Sequence, residues 1–204
     1  MSKNNIWVVI PVGKREKYLP DLIDTLNNYM GNIIFINNNK DYTRFNGIVH
    51  IEDFDEINIH RWWNKGIDYA ISKGAEYVVV MNDDISLPQN MIDKAVGKMI
   101  DNNSLVCGLA YHAGVFFIIK SDSGIRADES LRWWCGDGDI FRQALLKNSL
   151  VWYKEDSFKH FEHNEQTEEN EYLKYLGQED PKTYYKKLDS LNQLEYWKPD
   201  YVIQ

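Results

Sequence analysis

The sequence has few of the features that mark secreted or membrane-spanning proteins. Its 204 residues include two cysteines, Cys107 and Cys135, which are too few for a disulfide framework and lack the spacing of a zinc site. We therefore expect reduced thiols in a cytoplasmic protein. No apolar run reaches the length of a membrane span, since the longest covers residues 115–119. A strand-like segment already begins at Ile6, so we expect neither a signal peptide nor stable insertion in a membrane.

Basic residues are scarce relative to acidic ones. The chain carries 23 Lys and Arg against 31 Asp and Glu, which gives a formal net charge of −8. This balance disfavours broad binding to nucleic acid, which depends on neutralising phosphates, but it does not exclude a local basic groove. An acidic protein that binds a phosphorylated ligand is expected to offset the repulsion with a metal ion or with backbone amides.

Hydrophobic residues make up 44% of the chain, which is enough for a sizeable core. In the first half, strand patterns cover residues 7–12, 32–36, 47–51 and 76–81, and helix patterns cover 17–29, 59–73 and 89–101. This order predicts an α/β fold with a mostly parallel sheet and crossover helices.

The second half predicts a different arrangement. Strand patterns at residues 104–109 and 114–120 have no long helix between them, which indicates a mixed sheet. A helix over 136–147, a strand over 150–158 and two short helical stretches at 172–176 and 183–191 come after them. We expect one domain over residues 1–167, with a helical C-terminal extension over 168–204 that packs on it.

The most informative segment is Asn82-Asp83-Asp84, which comes directly after the apolar run 77–81. Carboxylates are disfavoured inside a buried strand, so this pair is expected to emerge at the strand's carboxyl end, where it could hold a divalent cation. Asn and Asp also favour turns, and Pro88 could open the next helix. The triplet by itself fits a metal site and a turn equally well.

Polar residues also come after the other predicted strands. Pro11, Val12 and Gly13 form a tight exit that lets the backbone approach a ligand, and Arg15 could meet a phosphate or a base, although an ordinary turn fits as well. Asn37 and Asn38 could bond a base or a ribose, or lie in a solvated turn. In the helix over 59–73, Asn64 adds an amide, and Gly66 is expected to permit a close approach.

Taken in order, these segments resemble the nucleotide-sugar half of the GT-A glycosyltransferases, and most closely their family 2. In that family a strand-end acidic motif binds a divalent metal that bridges the donor's diphosphate. The resemblance implies Asp84 as a ligand of Mn²⁺ or Mg²⁺, with Asn82 standing where the family has an acid. It implies a donor site that includes Pro11, Val12, Arg15, Asn37, Asn38, Asn64, Asn82 and Asp83.

The resemblance continues into the second half. The segment 113–120 is similar to the family's glycine-led strand beside the acceptor, which places Gly114 there together with Trp133 and Trp134. The segment 133–142 resembles the family's G-E-D pattern, with Gly136 in place of the glutamate and Asp137 at the position of the catalytic base. The segment 160–167 resembles a late H-x-x-x-T element, which implies His163 as a second metal ligand.

The resemblance implies a metal-dependent glycosyltransferase that moves a sugar from a nucleotide-sugar donor, UDP-linked by default, to an acceptor hydroxyl with inversion. Two alternatives stay open. A nucleotidyltransferase would share the sheet and the acids, but it usually has a glycine- and lysine-rich loop after the first strand. A non-catalytic nucleotide-sugar or carbohydrate binder would account for Asn82 and Gly136. The acceptor is open among a glycan, a modified nucleic acid and a protein.

Overall fold

Seven strands form one sheet through the middle of the molecule. The structure, a computed structural model, describes residues 5–13, 16–40, 44–161 and 170–197. The strands of the sheet are β1 (Ile6–Val12), β2 (Ile33–Asn37), β3 (Val49–Glu52), β4 (Tyr77–Met81), β6 (Val106–Leu109), β7 (Phe116–Lys120) and β8 (Leu150–Tyr153). Two further short strands, β5 (Ile85–Ser86) and β9 (Lys159–His160), pair with each other in a separate ribbon.

The strand order is β3-β2-β1-β4-β7-β6-β8. Strands β3, β2, β1 and β4 are parallel, and β6 and β8 are parallel to each other, whereas β7 runs antiparallel to both of its neighbours. The last residue of β4, Met81, therefore pairs with the first residue of β7, Phe116. The sequence leading into β7 lies at the same edge as the residues that leave the parallel strands, and this confirms the predicted mixed, mostly parallel sheet.

Five helices are present in the described part of the chain. They are α1 (Leu19–Thr25), α2 (Ile59–Ser72), α3 (Met91–Asp101), α4 (Gly136–Leu146) and α5 (Glu171–Ser190). Buried residues of α1 and α3 join one hydrophobic cluster, and those of α2 and α4 join another. Alternate residues of β1 contribute to the two clusters, Val8 to the first and Val9 to the second, so the sheet separates two core layers.

Helix α2 shows why local sequence determines its ends and its packing. The Asn58 side chain accepts a hydrogen bond from the Arg61 amide at the amino end, and Gly74 comes after the helix with a φ of 86°. A Cβ on Gly66 would lie 2.2 Å from a Val9 methyl group of β1. The predicted close approach at Gly66 is therefore confirmed, and it brings α2 directly onto the sheet.

The C-terminal helix corrects one expectation. The two predicted stretches at 172–176 and 183–191 are parts of the single helix α5, which continues through Pro181. A proline inside a helix removes a hydrogen bond and usually ends the helix. Here Leu176 lies before the proline, Tyr184 and Leu188 lie after it, and all three are buried, so tertiary packing outweighs the local penalty. The strand predicted over 150–158 also ends earlier, at Tyr153.

Candidate active site

The acidic triplet lies where the sheet's carboxyl edge meets the start of β7. The Asn82 amide donates a hydrogen bond to the Val115 carbonyl oxygen over 3.0 Å, which joins the end of β4 to the segment entering β7. The Gly13 amide, after β1, donates to Asp83 Oδ2 over 3.2 Å. Asp83 and Asp84 are both buried. Asp83 thus links the ends of the neighbouring strands β1 and β4. Pro11 and Val12 lie in the last part of β1, which is buried.

The ribbon of β5 and β9 brings a histidine against Asp84. Ile85 pairs with His160, and the Phe161 amide donates to the Asp84 carbonyl oxygen over 2.9 Å. As a result, His160 Nε2 lies 3.3 Å from Asp84 Oδ1. The sequence favoured His163 over His160 as the second metal ligand, and it gave no sign of this ribbon. His163 lies outside the described residues, as does Arg15.

A carboxylate oxygen beside an imidazole nitrogen is a suitable donor pair for Mn²⁺ and similar divalent cations. Two ligand atoms that hold one such cation at right angles lie about 3 Å apart, given bonds of about 2.1 Å. The Asp84–His160 distance of 3.3 Å fits that requirement. Across the ranges 5–13, 16–40, 44–161 and 170–197, no group of three or more His, Cys, Asp or Glu side chains could hold a metal.

The polar residues after β2 connect neighbouring strand ends. The Asn38 side chain donates to the Asp53 carbonyl oxygen over 2.8 Å, and the Asn37 carbonyl oxygen accepts from the Asp53 amide over 2.9 Å. Asn37 Oδ1 accepts from the Asn39 amide over 2.8 Å. The structure therefore brings Asn37 and Asn38 to the same edge as the acidic triplet, where they order the backbone that would face a donor.

Asp53, directly after β3, is a buried acid beside Asn37 and Asn38 that sequence reasoning did not single out. Its buried carboxylate contacts two cations of α2, Arg61 at 3.0 Å and Lys65 at 2.6 Å. Burial would raise the pKa of Asp53, but the hydrogen bonds and charges of Arg61 and Lys65 outweigh burial and lower it. In the sequence Asp53 is one of four acids within residues 52–56, and such a run is typical of a solvated turn.

Asn64 holds a loop of the second half. Its side chain donates to the Ala127 carbonyl oxygen and to Glu129 Oε1, each over 2.9 Å, and accepts from the Ala127 amide over 3.0 Å. Asn58 adds a bond to the Glu129 carbonyl oxygen over 2.8 Å. The amide of Asn64 is therefore engaged with residues 127–129, and any part that it has in donor binding would pass through this loop.

Asp137 lies in the first turn of α4, beside the segment that enters β7. A Cβ added to Gly114 would be 3.3 Å from Asp137 Oδ2, so the absence of a side chain at position 114 lets the carboxylate lie against the segment that enters β7. Burial raises the pKa of Asp137, while the Gly138 amide and the nearby His60 partly oppose that effect. Gly114 therefore lies against the candidate base, and its neighbour Val115 accepts a hydrogen bond from Asn82. The candidate base and the acidic triplet thus lie at the same edge of the sheet.

His60 explains why a glycine precedes Asp137. A Cβ on Gly136 would fall 2.1 Å from the imidazole of His60, so the ring occupies the space that a side chain at 136 would need. His60 is 1% exposed and its Nδ1 contacts the Leu131 carbonyl oxygen at 2.5 Å. Burial lowers the pKa of His60, which favours a neutral ring. Sequence reasoning noted the missing glutamate but had no signal that a residue of α2 fills its place.

Trp133 and Trp134 immediately precede this turn. Trp133 packs against the cluster that contains α2 and α4, and Trp134 Nε1 lies 3.2 Å from the position of a Cβ on Gly177 in α5. Both backbone amides donate to Asp180 Oδ2, over 2.7 Å and 2.9 Å. The structure therefore holds both tryptophans against other parts of the protein, and α5 takes part in their placement.

Solved structures with the same fold include those of two bacterial proteins. A glucosyl-3-phosphoglycerate synthase from Mycobacterium tuberculosis, in complex with Mn²⁺, UDP-glucose and phosphoglyceric acid, is 9% identical with a TM-score of 0.67; the alignment covers 90% of this chain and 79% of that one. S. aureus TarS 1–349 in complex with UDP is 11% identical with a TM-score of 0.61, over 76% of this chain and 59% of that one. Against a longer TarS chain the coverage is 36% of that chain, so this protein spans well under two thirds of TarS.

Sequence comparison gives a more specific result. No curated protein sequence matches the chain significantly. In the described part of the chain, no helix has the length and apolar character needed to cross a bilayer. The profile described as Glycosyl transferase family 2 matches residues 7–143 of the 204, a segment that contains the acidic triplet, Gly114 and Asp137. The chain therefore belongs to glycosyl transferase family 2, and its fold is the GT-A fold of glycosyltransferases.

Proposed function

We propose that the protein transfers a sugar from a nucleotide-sugar donor, in the first instance a UDP-sugar, to an acceptor hydroxyl with inversion of configuration. This proposal rests on one observation: a pair of side chains suited to a cation and a candidate base lie at the same edge of the sheet. Asp84 and His160 form a pair suited to a cation, and Asp137 lies beside Gly114 as a candidate base. The UDP and UDP-glucose bound by the two structural relatives support the choice of donor.

The strand ends would hold the donor. The Gly13 amide and the ordered turn at Asn37 and Asn38 present backbone and amide groups at the edge where the parallel strands end, which is where α/β proteins usually bind nucleotides. Pro11, Val12 and Asn82 border the same space. Asp84 and His160 would hold Mn²⁺ or Mg²⁺, and the cation would offset the charge that develops on the departing diphosphate. His163 and Arg15 stay predicted contributors.

Asp137 would act on the acceptor. An inverting transfer needs a carboxylate within hydrogen-bonding reach of the attacking hydroxyl, on the side opposite the leaving group. The raised pKa of Asp137 makes it a better proton acceptor than an ordinary aspartate. Gly114, which has no side chain, lies against this carboxylate, and the loop that carries Trp133 and Trp134 would border the acceptor. The cytoplasmic location predicted from the cysteines stays a prediction.

A thermal-shift assay with UDP and Mn²⁺ tests the donor and metal site. The wild-type protein is expected to show a rise in Tm that needs both ligands, because binding to the folded state stabilises it. Asp84→Ala should lose the metal-dependent part of that rise. Asp93→Ala is the matched control, because Asp93 lies outside this edge and bonds the Tyr29 hydroxyl. An unchanged metal-dependent shift in Asp84→Ala would refute the assignment.

Donor turnover then separates an enzyme from a binder. UDP-glucose hydrolysis with Mn²⁺, monitored as UDP release, is expected for the wild type. If UDP and UDP-sugars bind but none of them turns over with any acceptor, the binder alternative is correct, and Gly136 in place of the family's glutamate would be its signature.

A further inference from the structure

Helix α5 contacts the segment 128–142 along most of its length. This segment includes the candidate base, whereas α5 lies beyond residue 143, where the family match ends. The contacts come from Tyr172 to Arg132, from Gly177 to Trp134, from Asp180 to the backbone of residues 132–134, and from Lys187 to Asp128 and Asp139. The helix therefore borders the candidate site and is more than a terminal appendage.

Asp180 makes the most specific of these contacts. Its Oδ2 atom accepts hydrogen bonds from three consecutive backbone amides, those of Arg132 at 3.0 Å, Trp133 at 2.7 Å and Trp134 at 2.9 Å. The residue is 3% exposed. Three amides that converge on one buried carboxylate oxygen require a tightly curved backbone, so this single side chain determines the shape of the loop.

The shape of that loop matters because the loop leads directly into α4. Cys135 adopts a left-handed conformation, with a φ of 67°, and Gly136 and Asp137 begin the helix. A non-glycine residue in that region is strained and persists only when its surroundings impose it. On one side of Cys135 the backbone is held by Asp180, and on the other side Gly136 packs against His60. The direction in which Asp137 points is thus fixed by two residues distant in sequence.

We propose that Asp180 is a positioning residue, through which α5 orients residues 132–137 and with them the carboxylate of Asp137. The proposal rests on the function proposed above. Asp180 does not contact the reacting groups; it acts through the backbone of the loop. A displacement of about 1 Å in a reacting group can lower a rate by about a hundred-fold, so a looser loop is expected to reduce turnover without removing the donor site.

The test compares two variants with the same chemical change on the same helix. Asp180→Asn weakens the buried acceptor while keeping its shape, and Asp189→Asn alters an exposed residue of α5. With UDP-glucose hydrolysis as the probe, we expect Asp180→Asn to lower kcat by about ten- to a hundred-fold, with KM for UDP-glucose and the UDP-dependent Tm shift unchanged. Asp189→Asn should match the wild type. Asp180→Ala should have a larger effect than Asp180→Asn, and if it does not fold, the asparagine variant carries the test.

Hydrogen exchange of residues 131–137 gives a readout that is independent of activity. We expect the amides of Arg132, Trp133 and Trp134 to exchange faster in Asp180→Asn than in Asp189→Asn. Equal exchange and equal kcat in the two variants would overturn the proposal, and so would a parallel loss of kcat, donor affinity and global stability, which indicates general damage. If the wild type turns over no donor, the proposed function fails by itself, and the exchange experiment still decides whether Asp180 holds the loop.

Discussion

The two halves of the site are held in different ways. The proposed donor half, formed by β1–β4 and α2, consists of parallel strand ends that the backbone ladder of the sheet holds side by side. The proposed acceptor half, formed by residues 114–142 and α5, includes loops whose backbone is held by side chains of other elements. His60 contacts Leu131, and Asp180 binds the backbone of residues 132–134.

This difference has its origin in the physics of each element. A parallel strand needs only its own hydrophobic residues and its neighbours to place its last residue at the sheet edge. A loop has no such repetitive support, so its backbone amides must find specific partners. The donor half should therefore tolerate changes that the acceptor half does not, and three experiments examine that contrast.

Asp137→Asn is expected to have the largest effect. Loss of the base should lower UDP-glucose turnover by about a hundred- to ten-thousand-fold, while the Tm shift given by UDP and Mn²⁺ stays as in the wild type. Because the pKa of Asp137 is raised by burial, the charged form costs stability at neutral pH, and the variant should melt at a higher temperature than the wild type. The measurements are UDP release and differential scanning fluorimetry.

The same raised pKa gives a pH dependence. The wild-type rate should fall on the acid side at a pH above the ordinary aspartate value of 3.8, since the base must be deprotonated. Two results would contradict the role of Asp137. One is a wild-type rate in Asp137→Asn, and the other is a wild-type rate that falls only at or below pH 3.8.

Gly136→Ala is expected to have the next largest effect. The new methyl group would meet the His60 ring, and such overpacking costs about 1–3 kcal/mol of the free energy of unfolding. In a His60→Ala background the same substitution should cost much less, because the ring is gone. Urea denaturation of the four proteins of this cycle measures the coupling.

Gly97→Ala in α3 is the control for that cycle. A Cβ at this position meets nothing within 4 Å, so the substitution should stabilise the helix by up to about 1 kcal/mol. If Gly136→Ala were as harmless as Gly97→Ala, or equally costly with and without His60, the contact would not explain the glycine.

Asp53→Asn examines the donor half and should have the smallest effect. Because Arg61 and Lys65 lower the pKa of Asp53, its carboxylate contributes stability above the ordinary value of 3.8, and that contribution is lost as the pH falls through the lowered pKa. The variant should lower Tm by about 2–4 °C at neutral pH and by less in acid. Asp55→Asn, an exposed neighbour, is the control; a difference between Asp53→Asn and the wild type that does not shrink in acid would contradict the ion pair.

The sequence predicted the donor half better than the acceptor half for the same physical reason. Apolar strand patterns predicted the mixed sheet and put the triplet ending in Asp84 at the end of β4, because strand periodicity is a local property. The ribbon that brings His160 against Asp84 contains only two residues in each strand, too few for a pattern. The sequence predicted two separate helical stretches, and no local pattern could show that packing on both sides of Pro181 keeps α5 continuous.

The contacts that hold the acceptor half join distant segments, so the sequence of any one segment could not predict them. The motif around Asp137 could be identified by resemblance, but the partner of Gly136 lies in α2 and the partner of the tryptophan amides lies in α5. Each of these contacts joins residues more than 40 positions apart. Such pairs become visible only when the fold has brought them together.

The contact between His60 and Gly136 also bears on how the site can change during evolution. The ring and a side chain at position 136 compete for one volume, so neither position can change freely while the other is fixed. A descendant that acquired the acid usual in the family at position 136 would first need a small residue at position 60. The two positions should therefore vary together among close homologues, and the order of the two substitutions is constrained.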